Sequence, residues 1–366
     1  MHIKNNELKH DIIKLKKRNG FIEVGKDKKT LVNCLIGANE LEDYKYEIKK
    51  IDCILNISEK PDIVSDLSTK RRKISESIWY KIVKDTPFVS ATLPIYLVSK
   101  NNNKIDSNEL LDIIIEQMEN GVGMITIHPT ANKQIFEDSK NRMVPVTSRG
   151  GGMVIQDLIS KNFSEDNVYL KILPEIIKYA QKHNVCISLG ATFRSGNIFD
   201  SNDRAQITEI KSQIELAKRI YKSNVGVIIE SPGHSRPSDI IKISSILKKE
   251  GFPIMPLGPI PTDIAIGMDH IAAAIGATIM GIEGCANIIS TVTREEHTGG
   301  RPSIESTVES IRIAKIAAHI IDIHQMNDIN LDMSVSKSRA KSNTCIFGKD
   351  TKYCDRCREL CPLCIR

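Results

Sequence analysis

Four cysteines lie close together in the last part of this 366-residue sequence: Cys354, Cys357, Cys361 and Cys364. Thiolates at such spacing can converge on one metal centre, because soft sulfur ligands select zinc or iron–sulfur clusters. Only three residues separate the two Cys-x-x-Cys halves, whereas a zinc site with four thiolates is normally built on longer loops. The spacing therefore favours an iron–sulfur cluster held by three of the cysteines, with a zinc site as the alternative.

Two histidines, His234 in Glu-Ser-Pro-Gly-His and His297 in Glu-Glu-His-Thr-Gly-Gly, each follow a strand-like run and stand beside glycines. Glycine lets a ligand approach the backbone closely. Imidazoles from two different loops could bind one divalent metal, zinc or another, and leave coordination positions open. Glu230 stands close to the first of them. Histidines are also common structural residues, and the sequence leaves both roles open.

The segment Ser148-Arg149-Gly150-Gly151-Gly152 combines a hydroxyl, a guanidinium and flexible backbone amides. That combination suits a phosphate group, which takes a bidentate donor and N–H groups. The segment lacks the lysine of a P-loop, and a run of glycines is also an ordinary flexible loop. The sequence thus predicts a phosphate-binding loop without a nucleotide motif.

Short apolar runs rich in β-branched residues alternate with helical patterns, which indicates a parallel α/β fold. No Gly-x-Gly-x-x-Gly follows a first strand, as a doubly wound open sheet would favour. Eight units instead predict a (β/α)8 TIM-like barrel. The predicted strands are Leu31–Gly37, Asp62–Leu67, Phe88–Tyr96, Met124–Thr130, Asn184–Ala191, Val225–Gly233, Pro253–Ile260 and Thr278–Cys285. The helical patterns include Asn108–Asn120, Leu173–His183, Asp203–Ser223 and Ser238–Glu250.

Polar side chains recur at the C-terminal ends of these predicted strands, which is where (β/α)8 barrels carry their active sites. Core strands give no other reason to place carboxylates, imidazoles and guanidinium groups there. The pattern predicts a catalytic mouth. Its members are Asn33, Asp66, Tyr96, His128, Arg194, Glu230, His234 and Asp263.

The flanking segments complete a four-part organisation. A first amphipathic helix would carry Ile12, Ile13 and Leu15 on its apolar side, and the barrel would be followed by a long helix, Ser303–Ile323, and a polar linker, Asp328–Asn343. The four parts are a basic N-terminal helix and loop (1–30), the barrel with its active-site mouth (31–300), a helical segment and linker (301–343), and the cysteine-rich cluster tail (344–366).

Composition narrows the classes of function. A net charge of +6 with 5% aromatic residues argues against a nucleic-acid-binding protein, which is usually more basic and interleaves aromatics for stacking. A mildly positive surface suits a phosphorylated small molecule. No apolar run reaches the roughly 20 residues of a membrane helix, and the first residues lack the apolar core of a secretory signal. We therefore expect a cytoplasmic protein without a membrane partner, whose cysteines are thiols or ligands.

Together these motifs resemble the ThiC family, the phosphomethylpyrimidine synthases. The resemblance runs from about Leu31 to the C-terminus and is densest from Ile187 to Ile321. The spacing Cys357-x3-Cys361-x2-Cys364 is also common in the radical S-adenosylmethionine superfamily. The ordered strings that carry the resemblance are VNCLIG, DLST, LPIY, TIH, SRGG, ESPGH, LGPIPTDIAIGMDHI, TREEH and KIAAH.

The resemblance implies a radical carbon–carbon lyase that uses a 4Fe–4S cluster, S-adenosyl-L-methionine and an external electron donor. Reductive cleavage would give a 5′-deoxyadenosyl radical. This radical would rearrange 5-aminoimidazole ribotide into 4-amino-5-hydroxymethyl-2-methylpyrimidine phosphate, a step of thiamine biosynthesis. The resemblance also implies a homodimer, in which the cluster tail of one subunit reaches the barrel of the other.

Matching positions carry family roles over to this sequence. Glu230 would be catalytic as well as a substrate contact, and His234 and His297 would bind zinc or another divalent metal. Cys354 and Cys357 match the first two cluster cysteines, and Cys361 is expected to be the third. The other substrate contacts implied by the resemblance are Tyr96, His128, Ser148, Arg149, Gly150 and Arg194.

Other positions depart from the family pattern. Cys361 comes one residue early and Cys364 is additional, so either Cys354, Cys357 and Cys361 or Cys357, Cys361 and Cys364 could hold the cluster. Lost polar groups change which substrate a pocket accepts. Two further functions therefore stay open: a paralogue that makes another product from the same ribotide, such as 5-hydroxybenzimidazole, and a zinc-binding protein without radical chemistry. The changed pocket positions are Leu35, Ser65, Ala191, Thr192, Phe193 and Met255.

Overall fold

Strands and helices alternate in the computed structural model, which describes residues 11–99, 102–342, 345 and 356–364. The chain divides into two units, Met1–Ile321 and Asp322–Arg366. The strands are β1 (Ile12–Lys17), β2 (Gly20–Gly25), β3 (Leu31–Ile36), β4 (Ile63–Asp66), β5 (Val89–Thr92), β6 (Met124–Ile127), β7 (Cys186–Leu189), β8 (Val227–His234), β9 (Ile254–Ile260) and β10 (Ile288–Ser290). The helices are α1 (Tyr44–Asn56), α2 (Ile78–Asp85), α3 (Ser107–Glu119), α4 (Lys133–Ser139), α5 (Arg149–Ser160), α6 (Val168–His183), α7 (Arg204–Tyr221), α8 (Pro237–Leu247), α9 (Asp269–Ile282), α10 (Ile304–Met326) and α11 (Asn330–Ser342).

Strands β3 to β10 form one sheet in the order β10-β3-β4-β5-β6-β7-β8-β9. Every paired neighbour in this sheet is parallel. The Asn287 N–H donates to the Ile254 carbonyl at 2.9 Å, and the Ile254 N–H donates to Asn287 Oδ1 at 2.9 Å. These two bonds join β9 to the start of β10, so the sheet closes on itself. The predicted (β/α)8 barrel is confirmed.

Amphipathic helices cover the outside of the barrel. Helix α3 shows why they form: Leu110, Ile113, Ile114 and Met118 are buried, and their spacing places them on one helix face. The Asp106 side chain caps this helix by accepting hydrogen bonds from two first-turn N–H groups, which would otherwise have no partner. Among the described helices, none is long and apolar enough to cross a bilayer.

The segment around Ile12 to Gly25 is an antiparallel hairpin, β1–β2, so the predicted N-terminal helix is wrong there. Buried Ile13 and Leu15 alternate with exposed neighbours along β1, which is the period of a strand. Arg18 and Asn19 form the turn, and Gly20 follows with a φ of 95°, which glycine adopts readily. The buried side of the hairpin packs against the N-terminal part of the barrel interior, and so fills that end. The cluster contains Ile13, Leu15, Val24, Leu31, Ile63, Val89, Ala91, Met124, Cys186, Ile228, Met255 and Ile288.

Two other predicted segments also differ. Thr278–Cys285, predicted as the eighth strand, overlaps the end of α9, and Ile288–Ser290 is the last barrel strand. Helix α9 is apolar on nearly all sides, and a short apolar run cannot be assigned to strand or helix by periodicity alone. The predicted linker Asp328–Asn343 contains α11, a helix that buries none of its side chains.

We expect Leu15→Ala to lower the free energy of unfolding by about 2–5 kcal/mol, because Leu15 is fully buried in the filled end of the barrel. Ile12→Ala is the matched control on the same strand, since Ile12 is 38% exposed, and it should change stability by less than about 1 kcal/mol. Chemical denaturation measures both. Equal losses would show that the hairpin core does not contribute as described.

Candidate active site

A cavity of about 360 Å³ opens at the C-terminal ends of the barrel strands. It lies where the sequence predicted a catalytic mouth. Gly150, also predicted, lies against the His128 ring next to it. The structure therefore brings the predicted barrel residues together. Those that line the cavity are Asn33, Tyr96, His128, Ser148, Arg149, Arg194, Glu230, His234 and His297.

Glu230 lies on β8, buried beneath the cavity surface. Its Oε1 accepts hydrogen bonds from Thr126 Oγ1 of β6 at 3.1 Å and from Ser188 Oγ of β7 at 3.0 Å. Burial raises the pKa of this carboxyl above 4.5, while the nearby Arg194 charge lowers it. A buried carboxyl with a raised pKa can accept and return a proton. Neither hydroxyl was predicted, although each stands in an otherwise apolar strand, MITI or CISL.

His128 lies between two glycines just beyond β6. A Cβ added to Gly150 would lie 2.5 Å from its Cε1, and one added to Gly190 would lie 2.6 Å from its Nε2. Ser148 Oγ is 3.0 Å from the same Nε2. Burial, together with the smaller effect of the Arg194 charge, lowers the pKa of His128 to about 3. The imidazole is therefore neutral near pH 7 and acts as a hydrogen-bonding group rather than as a cation.

The glycine run belongs to the first turn of α5, so the alternative of an ordinary flexible loop is wrong. Ser148 is the N-cap, and its Oγ accepts the Gly151 N–H at 3.1 Å. A Cβ at Gly151 would lie 2.6 Å from the Thr192 side chain, so this glycine permits close packing. The Arg149 guanidinium lies 5.3 Å from the Tyr96 ring centroid. A helix N-terminus beside a guanidinium favours an anion, and the phosphate-binding role stays a prediction.

Two glycines of this turn allow a matched comparison. Gly150→Ala should lower kcat/KM by about 100-fold, since displacing a site group by about 1 Å has that effect and the new methyl would overlap the His128 ring. Gly152→Ala should retain activity, because a Cβ added there would lie 3.9 Å from Val146 Cγ1, an ordinary van der Waals distance. It should also add about 0.4–1 kcal/mol of stability. Steady-state kinetics and denaturation test both; equal activities would contradict the described packing.

His234 and His297 are neighbours at the rim, with ring centroids 4.9 Å apart. His234 Nδ1 donates to Asp263 Oδ1 at 2.7 Å, and His297 Nδ1 donates to Asp269 Oδ1 at 2.6 Å. A proton on Nδ1 leaves Nε2 available to a metal. No cluster of three or more His, Cys, Asp or Glu ligands occurs among the described residues. The predicted metal role of the two histidines stays a prediction.

The segment Ala191–Arg194, where the family pattern would place a carboxylate, is held from outside the cavity. Glu209 accepts the backbone N–H groups of Thr192 at 2.8 Å and Phe193 at 2.6 Å. Arg194 Nη1 donates to the Ala191 carbonyl at 2.8 Å. The guanidinium of Arg194 thus remains at the cavity, although no carboxylate accompanies it in this turn.

Ser65 and Met255, two positions that depart from the family pattern, both contact the side-chain amide of Asn33. Ser65 Oγ donates to Asn33 Oδ1 at 2.8 Å. Asn33 Nδ2 donates to Ser290 Oγ at 3.2 Å and lies 3.7 Å from Met255 Sδ. Ser65 and Met255 therefore alter the same wall of the cavity, which Leu35 also lines.

Asp66, predicted at the catalytic mouth, does not line this cavity. Its carboxylate accepts the backbone N–H groups of Ser68 and Trp79, each at 2.9 Å. Burial raises its pKa to about 6. Asp66 fixes the chain after β4 and is a structural residue. Asp263, also predicted there, contacts the site only through His234.

The described part of the tail contains Cys357 and Cys361 on either side of a short turn, Arg358–Leu360. The Leu360 N–H donates to the Cys357 carbonyl, and the Cys361 N–H donates to the Arg358 carbonyl. Both cysteines are thiols rather than disulfides, which fits a soft metal centre. Cys354 and the Cys364 side chain lie outside the described residues, so the choice between the two cysteine sets stays open.

The barrel carries its charged cavity at the end where enzymes of the (β/α)8 class have their active sites. The model of the radical SAM ThiC family matches residues 9–361. A phosphomethylpyrimidine synthase of Clostridium acetobutylicum is 34% identical over 309 residues, which cover 82% of this chain and 69% of the relative. One of Methanocaldococcus jannaschii is 33% identical over 377 residues, covering 93% and 86%. The chain belongs to the radical SAM ThiC family, which implies S-adenosylmethionine and an iron–sulfur cluster.

Proposed function

We propose that this protein is a phosphomethylpyrimidine synthase, which converts 5-aminoimidazole ribotide into 4-amino-5-hydroxymethyl-2-methylpyrimidine phosphate for thiamine biosynthesis. The observation that carries the proposal is the convergence of Glu230, His128, Arg149 and Arg194 on one cavity in a chain of this family. The substrate is a phosphorylated heterocycle. The cavity offers cations for its phosphate and a buried acid for its ring.

Each of these groups has a distinct task. The N-terminus of α5 and Arg149 bind the phosphate. Glu230 accepts or donates a proton at the reacting ring, and neutral His128 orients a polar substrate atom. The barrel walls and the hairpin exclude water from the other end of the interior, which protects reactive species.

The cluster thiolates come from the tail. Three of Cys354, Cys357, Cys361 and Cys364 hold a 4Fe–4S cluster, and an external donor brings the electron. When bound, the cluster and S-adenosylmethionine supply the radical chemistry, which the side chains of the barrel cannot provide. His234 and His297 hold zinc or another divalent metal at the rim.

The deciding experiment is an anaerobic reaction of cluster-reconstituted protein with S-adenosylmethionine, a reductant and aminoimidazole ribotide, analysed by mass spectrometry. Deoxyadenosine together with the pyrimidine phosphate supports the proposal. Deoxyadenosine without that product would mean radical chemistry on another path. Neither compound, with the cluster intact, would mean that this ribotide is not the substrate.

One observation favours a product other than the pyrimidine phosphate. Ser65 and Met255 both depart from the family pattern and both contact Asn33, so one cavity wall is rebuilt rather than changed at random. The candidate is a paralogue that makes 5-hydroxybenzimidazole from the same ribotide, and the same product analysis detects it. A zinc-binding protein without radical chemistry is not supported, because the chain belongs to a family of radical enzymes.

We also propose that the active protein is a homodimer. Helix α9 is apolar on nearly all sides, and such a helix is normally buried all round. Homodimer interfaces are more apolar than other protein surfaces, so a second copy of this chain fits the uncovered face. The exposed apolar residues on α9 and the loop before it are Ile264, Ile266, Met268, Ile271, Ile275 and Ile282.

Light scattering tests the dimer. Ile271→Asp with Ile275→Asp should convert a dimeric protein to a monomer, since two charges would be buried in an apolar interface. Leu170→Asp on α6 is the control, because Leu170 is also exposed but lies on another helix. A wild-type monomer, or a double variant that stays dimeric, would contradict this surface.

A further inference from the structure

One short segment, between the end of β9 and the start of α9, carries both carboxylates that contact the histidine pair. Asp263 lies in this segment, and Asp269 is the first residue of α9. The two histidines come from elsewhere: His234 ends β8, and His297 lies in the turn after β10. A single segment therefore reaches two imidazoles that the barrel brings from different strands.

Each carboxylate is itself fixed by a backbone amide. Asp263 Oδ2 accepts the Ile198 N–H at 3.0 Å, and Asp269 Oδ2 accepts the Gly267 N–H at 3.1 Å. In both residues Oδ1 contacts the imidazole while Oδ2 holds the carboxylate in place. This arrangement occurs twice in one segment, and it orients each imidazole through a group that cannot rotate freely.

We propose that Asp263 and Asp269 are a pair of positioning residues that fix the tautomer and direction of His234 and His297, so that both present Nε2 to one divalent metal ion. A carboxylate on Nδ1 sets the ring orientation and raises the basicity of the other nitrogen. This inference rests on the metal site proposed above. It assigns a role to Asp269, which the sequence did not single out.

The two aspartates have unequal importance. His234 is nearly buried on a strand, and its backbone N–H donates to the Ser195 carbonyl at 2.9 Å. His297 lies in a turn, with its side chain 37% exposed, whereas the Asp269 side chain is only 2% exposed. The strand already restrains His234, but the hydrogen bond to Asp269 is the main restraint on the His297 ring. Loss of Asp269 should therefore weaken metal binding more.

Zinc affinity, measured by chelator competition on the full chain with its cluster reconstituted, tests the proposal. Occupied cluster thiols keep the tail from competing for zinc. Loss of such supporting partners typically weakens metal binding by about 10- to 100-fold. We expect the upper end for Asp269→Asn and the lower end for Asp263→Asn. Asp269→Glu, which keeps the charge but moves it, should also weaken binding.

Asp66→Asn is the matched control. Asp66 is also buried and accepts two backbone N–H groups, from Ser68 and Trp79, but it contacts neither His234 nor His297. It should leave zinc affinity unchanged. The ligand-field spectrum of the cobalt-substituted protein provides a second readout, which should change in the Asp263 and Asp269 variants and stay constant in the control.

The outcomes distinguish the metal site itself from the positioning role of Asp263 and Asp269. A wild-type protein that binds no zinc at this site would overturn the proposed metal site itself. Wild-type binding with undiminished affinity in Asp263→Asn and Asp269→Asn would leave the site standing and overturn the positioning role. An equal loss in Asp66→Asn would overturn that role too, because it would reveal a general effect of removing a buried carboxylate.

Discussion

Replacing Cys357 with alanine is expected to abolish the iron–sulfur cluster and all turnover. Cys357 belongs to both sets of cysteines that could hold the cluster, so its loss leaves two thiolates in either set. The Cys357 variant should therefore contain almost no iron or sulfide after anaerobic reconstitution and should form no deoxyadenosine. Metal analysis and mass spectrometry measure the two results independently.

Three further variants complete this test. Cys345→Ala is the control, because Cys345 is an exposed thiol outside the four-cysteine motif, and it should keep a full cluster. Cys354→Ala and Cys364→Ala distinguish the two sets, since only one of these cysteines is required. A Cys357→Ala protein that retains a full, active cluster would contradict the tail assignment in both forms.

Replacing Glu230 with glutamine should lower kcat/KM by about 100- to 10,000-fold, the usual contribution of a positioned acid or base. Glutamine has nearly the same shape, and its side-chain oxygen can still accept hydrogen bonds from Thr126 and Ser188. The substitution therefore removes the charge and the proton transfer while the surrounding contacts stay in place. Activity close to wild type would exclude Glu230 from the chemistry.

The Glu230→Gln substitution should lower activity but raise the free energy of unfolding near pH 7. Burial raises the pKa of Glu230 above its ordinary value of 4.5, so the folded state holds the proton more tightly than the unfolded state. The stability that this tighter proton binding contributes is complete below pH 4.5 and is lost as pH rises through the pKa of Glu230 in the folded state. Glu230→Gln cannot ionise, so it should be more stable than wild type near pH 7. Denaturation across this pH range measures the difference, which should vanish in acid.

The barrel could be predicted because seven of its eight strands are separated from helices by clear changes of period. The eighth could not, since α9 lacks a polar face and Ile288–Ser290 is too short to stand out. The β1–β2 hairpin was missed for a different reason. Its basic residues suggested a solvated helix, whereas alternation at Ile13 and Leu15 was the better signal.

Residues at the cavity could be predicted where an ionisable or cationic side chain stands at a strand end. His128, Arg194 and Glu230 were found because such groups at strand ends have few structural uses. Position at a strand end alone does not identify a cavity residue. Asp66 has that position but binds backbone N–H groups outside the cavity. Thr126 and Asp269 hydrogen-bond to site residues, Glu230 and His297. Threonine and aspartate are common throughout the sequence, so these contacts could be identified only from the folded barrel.

The hairpin leaves the ribosome before the barrel, but its apolar side is fully covered only when the last strand is in place. Ile13 and Leu15 share one cluster with Ile288 of β10. Contacts between such distant parts of a chain form slowly, and apolar surface left uncovered meanwhile promotes aggregation. A nascent chain that stops before β10 therefore holds a hairpin whose covering is incomplete, and we expect its soluble yield to depend on chaperones until synthesis is complete.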